Sequence, residues 1–99
     1  VVAGEAPAAL DELPGPPDAV FVGGGVAPAT LAACWRALAP LGRLVANAVT
    51  LDAERALLDF HAVAGGDLTR IAVERVEALG AHDAMKPQRA VLQLAAIKP

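Results

Sequence analysis

The chain has 99 residues, of which 56% are hydrophobic and 19% are charged, and a formal net charge of −3. This length suits one small domain, and the composition favours a packed interior over a disordered chain. Lys and Arg are scattered, aromatic residues make up 3% of the chain, and no apolar stretch reaches the ~20 residues of a membrane helix, so we expect no nucleic-acid partner and no membrane partner.

The chain opens with VVAGEAPAAL, which has the pattern of a strand end followed by a turn. The proline-rich stretch DELPGPPD follows and favours neither a helix nor a strand. No charged region followed by an apolar region precedes the first strand, so no secretory signal is visible and we expect a cytoplasmic location. A chain that opens inside a strand also has the pattern of a fragment or a trimmed domain.

Two strand–helix units are predicted in the middle of the chain. AVFV at 19–22 and RLVANAV at 43–49 are apolar runs without alternation, which favours strands buried on both faces. A helix is predicted after each strand, because apolar residues then recur with helical spacing. These residues are Leu31, Cys34, Trp35 and Leu38 in the first helix, and Ala53, Ala56, Leu57 and Phe60 in the second.

Residues at the predicted helix ends support these two helices. Pro28 suits the first turn of the first helix. Thr50 is predicted to cap the second helix, where Asp52 and Glu54 complement the positive end of the helix dipole. Gly65 is predicted to end that helix.

The last third of the chain has a different pattern. LTRIAVERVEAL at 68–79 is rich in β-formers with interleaved charges, and AVLQLAAI at 90–97 is predicted to be a final strand. We expect the stretch between them, GAHDAMKPQR, to be a loop. The order β, β-α, β-α, β, β predicts an α/β fold with a parallel sheet, finished by two strands that pair as an antiparallel hairpin with a long loop.

The run Gly23–Gly25 follows the first strand of the predicted parallel pair, and residues 47–50 follow the second. In open parallel sheets, ligands bind beyond the carboxyl ends of the strands. Three adjacent glycines leave two interpretations open, since they either turn the chain or let a ligand approach the backbone closely.

The glycines do not match a dinucleotide or phosphate loop. Gly23 and Gly25 fit the first two positions of the dinucleotide fingerprint, but Pro28 occupies the third. The next strand ends with Asn47 where that fingerprint needs an acidic residue. A P-loop is excluded because no lysine precedes Lys86.

Other candidate groups are isolated. The chain has no serine nucleophile, and its one cysteine, Cys34, is predicted to be an inert core thiol. His61 and His82 lack metal-ligand spacing, so we expect surface residues and no metal site. Arg70 is predicted to lie on the solvated side of a strand.

Several stretches together resemble the decarboxylating precorrin methyltransferases of cobalamin biosynthesis: GEAPAAL, PDAVFVGGG, GRLVANAVTLDAE, GGDLTRIAVERVEALG and the closing KP. These enzymes methylate carbon 15 of a tetrapyrrole and remove carbon dioxide from an acetate side chain. The resemblance implies a Rossmann-like methyltransferase sheet of parallel strands ended by an antiparallel hairpin. It also implies S-adenosyl-L-methionine as cofactor and a precorrin as substrate.

The resemblance implies two cofactor-binding segments. Glu5 and Ala6 match a segment of the family that lies near the adenine of the cofactor. Gly23 and Gly24 match glycines that face its methionine end. No catalytic acid or base is identified by the resemblance.

On the substrate side, the resemblance implies that Asn47 and Thr50 face the tetrapyrrole. The chain departs from the family at three positions. Leu41 stands where many members have glycine, and Met85 and Leu94 stand where tryptophans are expected. The last two departures concern the predicted loop on the substrate side.

The chain lacks the family's main cofactor loop and the acidic residue after its second strand. Residues 1–99 are therefore expected to be the C-terminal portion of a methyltransferase domain, inactive alone. Two alternatives stay open: an NAD(P)-binding Rossmann-like module, and a non-catalytic interaction domain whose apolar surplus forms an interface. A homo-oligomer is expected, because the AVFV strand of such a fragment leaves an unpaired edge.

Overall fold

A computed structural model describes residues 15–99. The predicted opening strand therefore lies outside the described residues. Eight elements follow one another in chain order: β1 (Ala19–Val22), α1 (Pro28–Ala37), β2 (Arg43–Ala48), α2 (Leu51–Ala64), β3 (Asp67–Ile71), β4 (Glu74–Leu79), β5 (His82–Pro87) and β6 (Val91–Ile97).

Four of the strands form one mixed sheet in the order β1-β2-β6-β3. β1 and β2 are parallel, whereas β6 is antiparallel to both of its neighbours, β2 and β3. β2 and β3 consequently run in the same direction with β6 between them. The predicted α/β fold is confirmed, and so is the antiparallel pairing of the final strand with the strand that follows α2.

The prediction of a loop over residues 80–89 is wrong. β5 pairs with β4 from Leu79 opposite His82 to Glu74 opposite Pro87, and the chain turns at Gly80 with a φ of 62°. We call this hairpin, residues 74–87, the arm. Nearly all of its residues are exposed, so it lacks the buried face whose apolar periodicity would reveal a strand in the sequence.

The core lies between one face of the sheet and the two helices. Alternate strand residues and one stripe of each helix are buried there: Val20, Val22, Leu44, Ala46, Ala48, Leu92 and Leu94 from the strands, and Leu31, Cys34, Ala56 and Leu57 from the helices. The opposite set of strand residues forms what we call the open face: Ala19, Phe21, Val45, Asn47, Thr69, Gln93 and Ala95. None of these seven residues is fully buried: Phe21 and Thr69 are exposed and the other five are partly buried.

The prediction of burial on both faces is therefore wrong for β1 in the part of the chain that the structure describes, whereas Val45 and Asn47 on the open face of β2 are partly buried. Phe21 in β1 is 47% exposed, although Val20 and Val22 beside it are buried. The sequence of β1 does not alternate because an apolar residue occupies both kinds of position. An apolar run thus indicated a strand correctly but did not indicate how many of its faces are covered.

The predicted helix ends are confirmed. Pro28 begins α1. The Thr50 side-chain oxygen accepts a hydrogen bond from the Ala53 backbone N–H at 3.2 Å and caps α2. Gly65, with a φ of 76°, ends α2 and donates its N–H to the His61 carbonyl.

Candidate functional site

The glycine run and Asn47 lie at the same edge of the sheet, as predicted. β1 and β2 are parallel, with Val22 beside Ala46, so continuing the register by one residue sets Gly23 beside Asn47. This edge holds the carboxyl ends of the parallel pair, where ligands bind in open α/β sheets. The sheet thus joins the two segments that the sequence singled out.

The three glycines of this edge differ in what requires them. Gly25 has a φ of 66°, a conformation that other residues rarely adopt. A Cβ on Gly23 would lie 3.0 Å from Cε1 of the Phe21 ring, which folds over it. A Cβ on Gly24 would meet nothing within 4 Å. Chain geometry therefore accounts for Gly25, whereas a small shift of the exposed Phe21 ring would admit a Cβ at Gly23. Gly24 presents bare backbone at the edge with space beside it.

Asn47 belongs to a row of polar side chains on the open face. It stands opposite Gln93 of β6, which in turn stands opposite Thr69 of β3. The Gln93 Nε2 donates a hydrogen bond to the Asn47 Oδ1 at 3.0 Å. Both side chains are partly buried. The bond therefore holds the Asn47 amide in one orientation close to the carboxyl edge.

Sequence reasoning missed Gln93. The signal was available, because Gln93 is the single polar residue of β6 and Asn47 is the one uncharged polar residue of β2. A lone polar residue inside an apolar strand needs a hydrogen-bond partner once it is partly buried. Two such residues in neighbouring strands are natural partners, but only the register shows that they stand opposite each other.

The remaining predicted site residues are less informative. Thr50 is exposed, and its side-chain oxygen already accepts the Ala53 N–H at the start of α2. Its hydroxyl proton and its second acceptor lone pair are available to a ligand. Glu5 and Ala6, the predicted adenine-side residues, lie outside the described residues.

The three departures from the family lie in different environments. Leu41 has a φ of 67° and is 79% exposed, which explains why glycine suits this position. Met85 lies on the arm and is half-exposed. Leu94 is fully buried in β6, so its replacement concerns the core and not a loop on the substrate side.

No other group of the described residues forms a reactive site. Cys34 is buried as predicted, and burial raises the pKa of its thiol, which keeps it in the neutral, unreactive form. His61 places its Nε2 3.0 Å from the Gly66 carbonyl oxygen, and His82 is exposed on the arm. Within residues 15–99, no three His, Cys, Asp or Glu side chains are grouped as metal ligands. Neither α1 nor α2 has the length and apolar character that crossing a membrane requires.

Comparison with known proteins shows the family of the chain. A family profile described as a precorrin methyltransferase domain matches residues 1–98. The decarboxylating precorrin-6Y C(5,15)-methyltransferase of a Sinorhizobium species is 51% identical over 94 residues, which are 94% of this chain and 22% of that protein. The protein of the same name from Mycobacterium tuberculosis H37Rv is 41% identical over 98 residues, or 25% of its length.

Solved structures share the fold over nearly the whole chain. The C-terminal domain of precorrin-6Y C5,15-methyltransferase from Rhodobacter capsulatus is 45% identical with a TM-score of 0.83, and the match covers 98% of this chain and 52% of that one. A precorrin-6Y C5,15-methyltransferase targeted domain from Corynebacterium diphtheriae is 40% identical with a TM-score of 0.85, covering 95% and 56% of the two chains. The chain spans about a quarter of its curated relatives and about half of these solved domains. It belongs to the precorrin methyltransferase domain family.

Proposed function

We propose that this chain is the C-terminal portion of an S-adenosylmethionine-dependent domain that methylates carbon 15 of a precorrin and decarboxylates its acetate side chain in cobalamin biosynthesis. The observation that supports this most is the adjacency of the glycine run and Asn47 at the carboxyl edge of β1 and β2. Relatives named decarboxylating precorrin-6Y C(5,15)-methyltransferase match more than nine-tenths of the chain.

The described residues fit one end of the cofactor. S-adenosylmethionine supplies a methyl group activated on a sulfonium centre. Gly23 and Gly24 would hold the methionine end of the cofactor. Because they lack Cβ atoms, a ligand can approach their backbone closely and form hydrogen bonds with its N–H and C=O groups. The space beside Gly24 is consistent with this assignment. We propose Glu5 and Ala6 for the adenine end on the resemblance alone.

The substrate side is assigned to Asn47 and Thr50. Methyl transfer to a carbon nucleophile needs in-line alignment and the exclusion of water more than it needs a triad or a metal. Uncharged donors such as the Asn47 amide and the Thr50 hydroxyl suit this task, since they orient a substrate without competing as nucleophiles. The conjugated macrocycle would itself accept the electrons released by decarboxylation.

The proposal is tested by completing the domain. In one protein, which we call the hybrid domain, this chain replaces the matching half of the Rhodobacter capsulatus domain, to which it is 45% identical. We expect isothermal titration to show tight S-adenosylmethionine binding by the hybrid domain and none by the 99-residue chain alone. We also expect the hybrid domain to transfer a labelled methyl group to precorrin-6Y and to release carbon dioxide.

Two results would contradict the proposal. Tight cofactor binding by the isolated chain would show that it is not half of a site. A folded hybrid domain that binds the cofactor but leaves the precorrin unmethylated would refute the activity. The unmodified Rhodobacter capsulatus domain serves as the positive control.

We also propose a homo-oligomer and a cytoplasmic location, the latter from kinship with precorrin methyltransferases. Self-association is supported by two exposed features: β1 at the edge of the sheet, and apolar side chains on the arm. Val76, Leu79 and Met85 of the arm are each more than half exposed. Light scattering should find a multimer that Met85→Glu weakens, and a monomeric wild-type chain would count against self-association.

A further inference from the structure

The hydrogen bond between Gln93 and Asn47 fixes which end of the Asn47 amide faces a ligand. Gln93 Nε2 donates to Asn47 Oδ1 at 3.0 Å across the β2–β6 register. An amide carries its acceptor and its two donors on opposite sides of one carbon. With Oδ1 turned to β6, the Nδ2 donors of Asn47 lie on the side away from Gln93.

The neighbour on that other side offers no side chain. Continuing the β1–β2 register sets Gly23 beside Asn47, and the Phe21 ring folds over Gly23 on the same face. Among residues 15–99, the Asn47 side chain makes one hydrogen bond, through Oδ1, and its Nδ2 donates to no other group. Its two N–H donors therefore suit a ligand group that brings hydrogen-bond acceptors.

We propose that Gln93 is a positioning residue, which orients the Asn47 amide so that its N–H donors bind a carboxylate of the ligand. The acceptor side of the amide would repel a carboxylate, whereas the donor side binds it with a charge-assisted hydrogen bond. We assign this ligand group to a carboxylate side chain of the tetrapyrrole, an assignment that rests on the proposed function. Without Gln93, the Asn47 amide samples both orientations and therefore binds a carboxylate less well.

NMR can report on this orientation directly, because Asn47 is the only asparagine in the chain. Selective nitrogen-15 labelling of asparagine therefore gives one side-chain NH₂ signal in the 99-residue chain. We expect that NH₂ group to be as rigid as the backbone in the wild type and mobile in Gln93→Leu. In Gln93→Glu the amide should stay rigid but turn over, because the new carboxylate accepts from Nδ2.

Gln88→Leu is the matched control, since Gln88 is the only other glutamine and its Nε2 donates to the Lys86 carbonyl on the arm. It should leave the Asn47 signal unchanged. Urea unfolding of each variant separates loss of the fold from loss of orientation. An Asn47 NH₂ group that is equally mobile in the wild type and in Gln93→Leu would overturn the positioning role.

The ligand is tested in the hybrid domain. Gln93→Leu leaves the Asn47 donors in place but lets the amide occupy either orientation, so KM for the tetrapyrrole should rise about twofold with kcat little changed. Gln93→Glu should raise KM further and recover as the new carboxyl is protonated at acidic pH, a profile that a purely structural residue would not produce. Unchanged KM in both variants, with the Asn47 orientation altered, would overturn the carboxylate assignment.

These results separate the inference from the proposed function. If the wild-type hybrid domain transfers no methyl group, the proposed function fails, and acetate replaces the tetrapyrrole as the probe. Acetate should then shift the Asn47 NH₂ signal of the wild type and not that of Gln93→Glu, with chloride as the salt control. An acetate-insensitive wild type would overturn the carboxylate site by itself.

Discussion

The Arg70 guanidinium makes two hydrogen bonds to the Glu54 carboxylate, at 3.0 and 3.1 Å, and joins β3 to the first turn of α2. The Glu54 side chain is largely covered and that of Arg70 is half-exposed. The prediction that Arg70 lies on a solvated strand side was therefore incomplete, because the residue is partnered across the helix-covered face. Two parallel hydrogen bonds give this pair a defined geometry that single-contact surface pairs lack.

This pair predicts a pH-dependent contribution to stability. The hydrogen bonds from Arg70 lower the pKa of Glu54 below its ordinary value. The pair therefore stabilises the fold above the unfolded-state pKa of glutamate, and that stability is lost as the pH falls through the lower folded-state pKa. Arg70→Gln should lower the urea midpoint at pH 7, and the gap from the wild type should close as the pH falls through the lowered folded-state pKa of Glu54.

Arg55→Gln is the control for the Arg70 variant. It breaks the Arg55–Asp52 pair, whose side chains are 70% and 96% exposed, and should leave the urea midpoint near the wild-type value at every pH. A gap for Arg70→Gln that stays constant from neutral to acidic pH would mean that Arg70 contributes packing alone.

Leu41 predicts a stabilising substitution. Its φ of 67° places a side chain in the left-handed region, which costs an L-residue roughly 1–2 kcal/mol. Glycine removes this cost but gains unfolded-state entropy worth about 0.4–1 kcal/mol. Leu41→Gly should therefore raise the free energy of unfolding by about 0.5–1 kcal/mol in urea titrations.

Leu41→Ala separates strain from exposure of the leucine. Alanine keeps the Cβ atom and the strain, while it removes the side chain, which is 79% exposed. Its free energy of unfolding should stay within ~0.5 kcal/mol of the wild type. If alanine stabilises as much as glycine does, the exposed leucine and not its φ is the unfavourable feature.

Replacing Thr50 should weaken the cap of α2. Thr50→Ala removes the oxygen that accepts the Ala53 N–H and should lower the free energy of unfolding by about 1 kcal/mol in urea titrations. Thr50→Asp keeps an acceptor at the same position and should retain most of that stability. Equal destabilisation by both variants would argue against the cap.

How far the sequence predicted the structure depends on how local the signal was. α2 was predicted from end to end, because its cap, its acidic first turn and its closing glycine act within one helical turn of their own positions. The arm was not predicted, since within residues 15–99 β5 pairs only with β4 and carries no buried face. The position of β6 between β2 and β3 could not be predicted either, because strand order is a tertiary property.

The candidate site shows the same division. The glycine run and Asn47 were found from their positions after two strands, and a parallel pair necessarily brings such positions to one edge. The Asn47–Gln93 bond links residues 46 positions apart and needs the antiparallel register of β2 and β6, which no local pattern specifies. The sequence shows that Asn47 and Gln93 are each unusual in an apolar strand, but only the strand register shows that they stand opposite each other.

The two positions where the family resemblance led us to expect tryptophan should respond differently to that residue. Leu94 is fully buried in the core of β6, and the larger ring would overpack it, which costs typically ~1–3 kcal/mol. Met85 is half-exposed on the arm, so Met85→Trp should change the free energy of unfolding by less than ~0.5 kcal/mol. Urea unfolding, monitored by circular dichroism, measures the free energy of unfolding of both variants. A tolerated Leu94→Trp would show that this core can expand, and a destabilising Met85→Trp would show that the arm packs against another surface in solution.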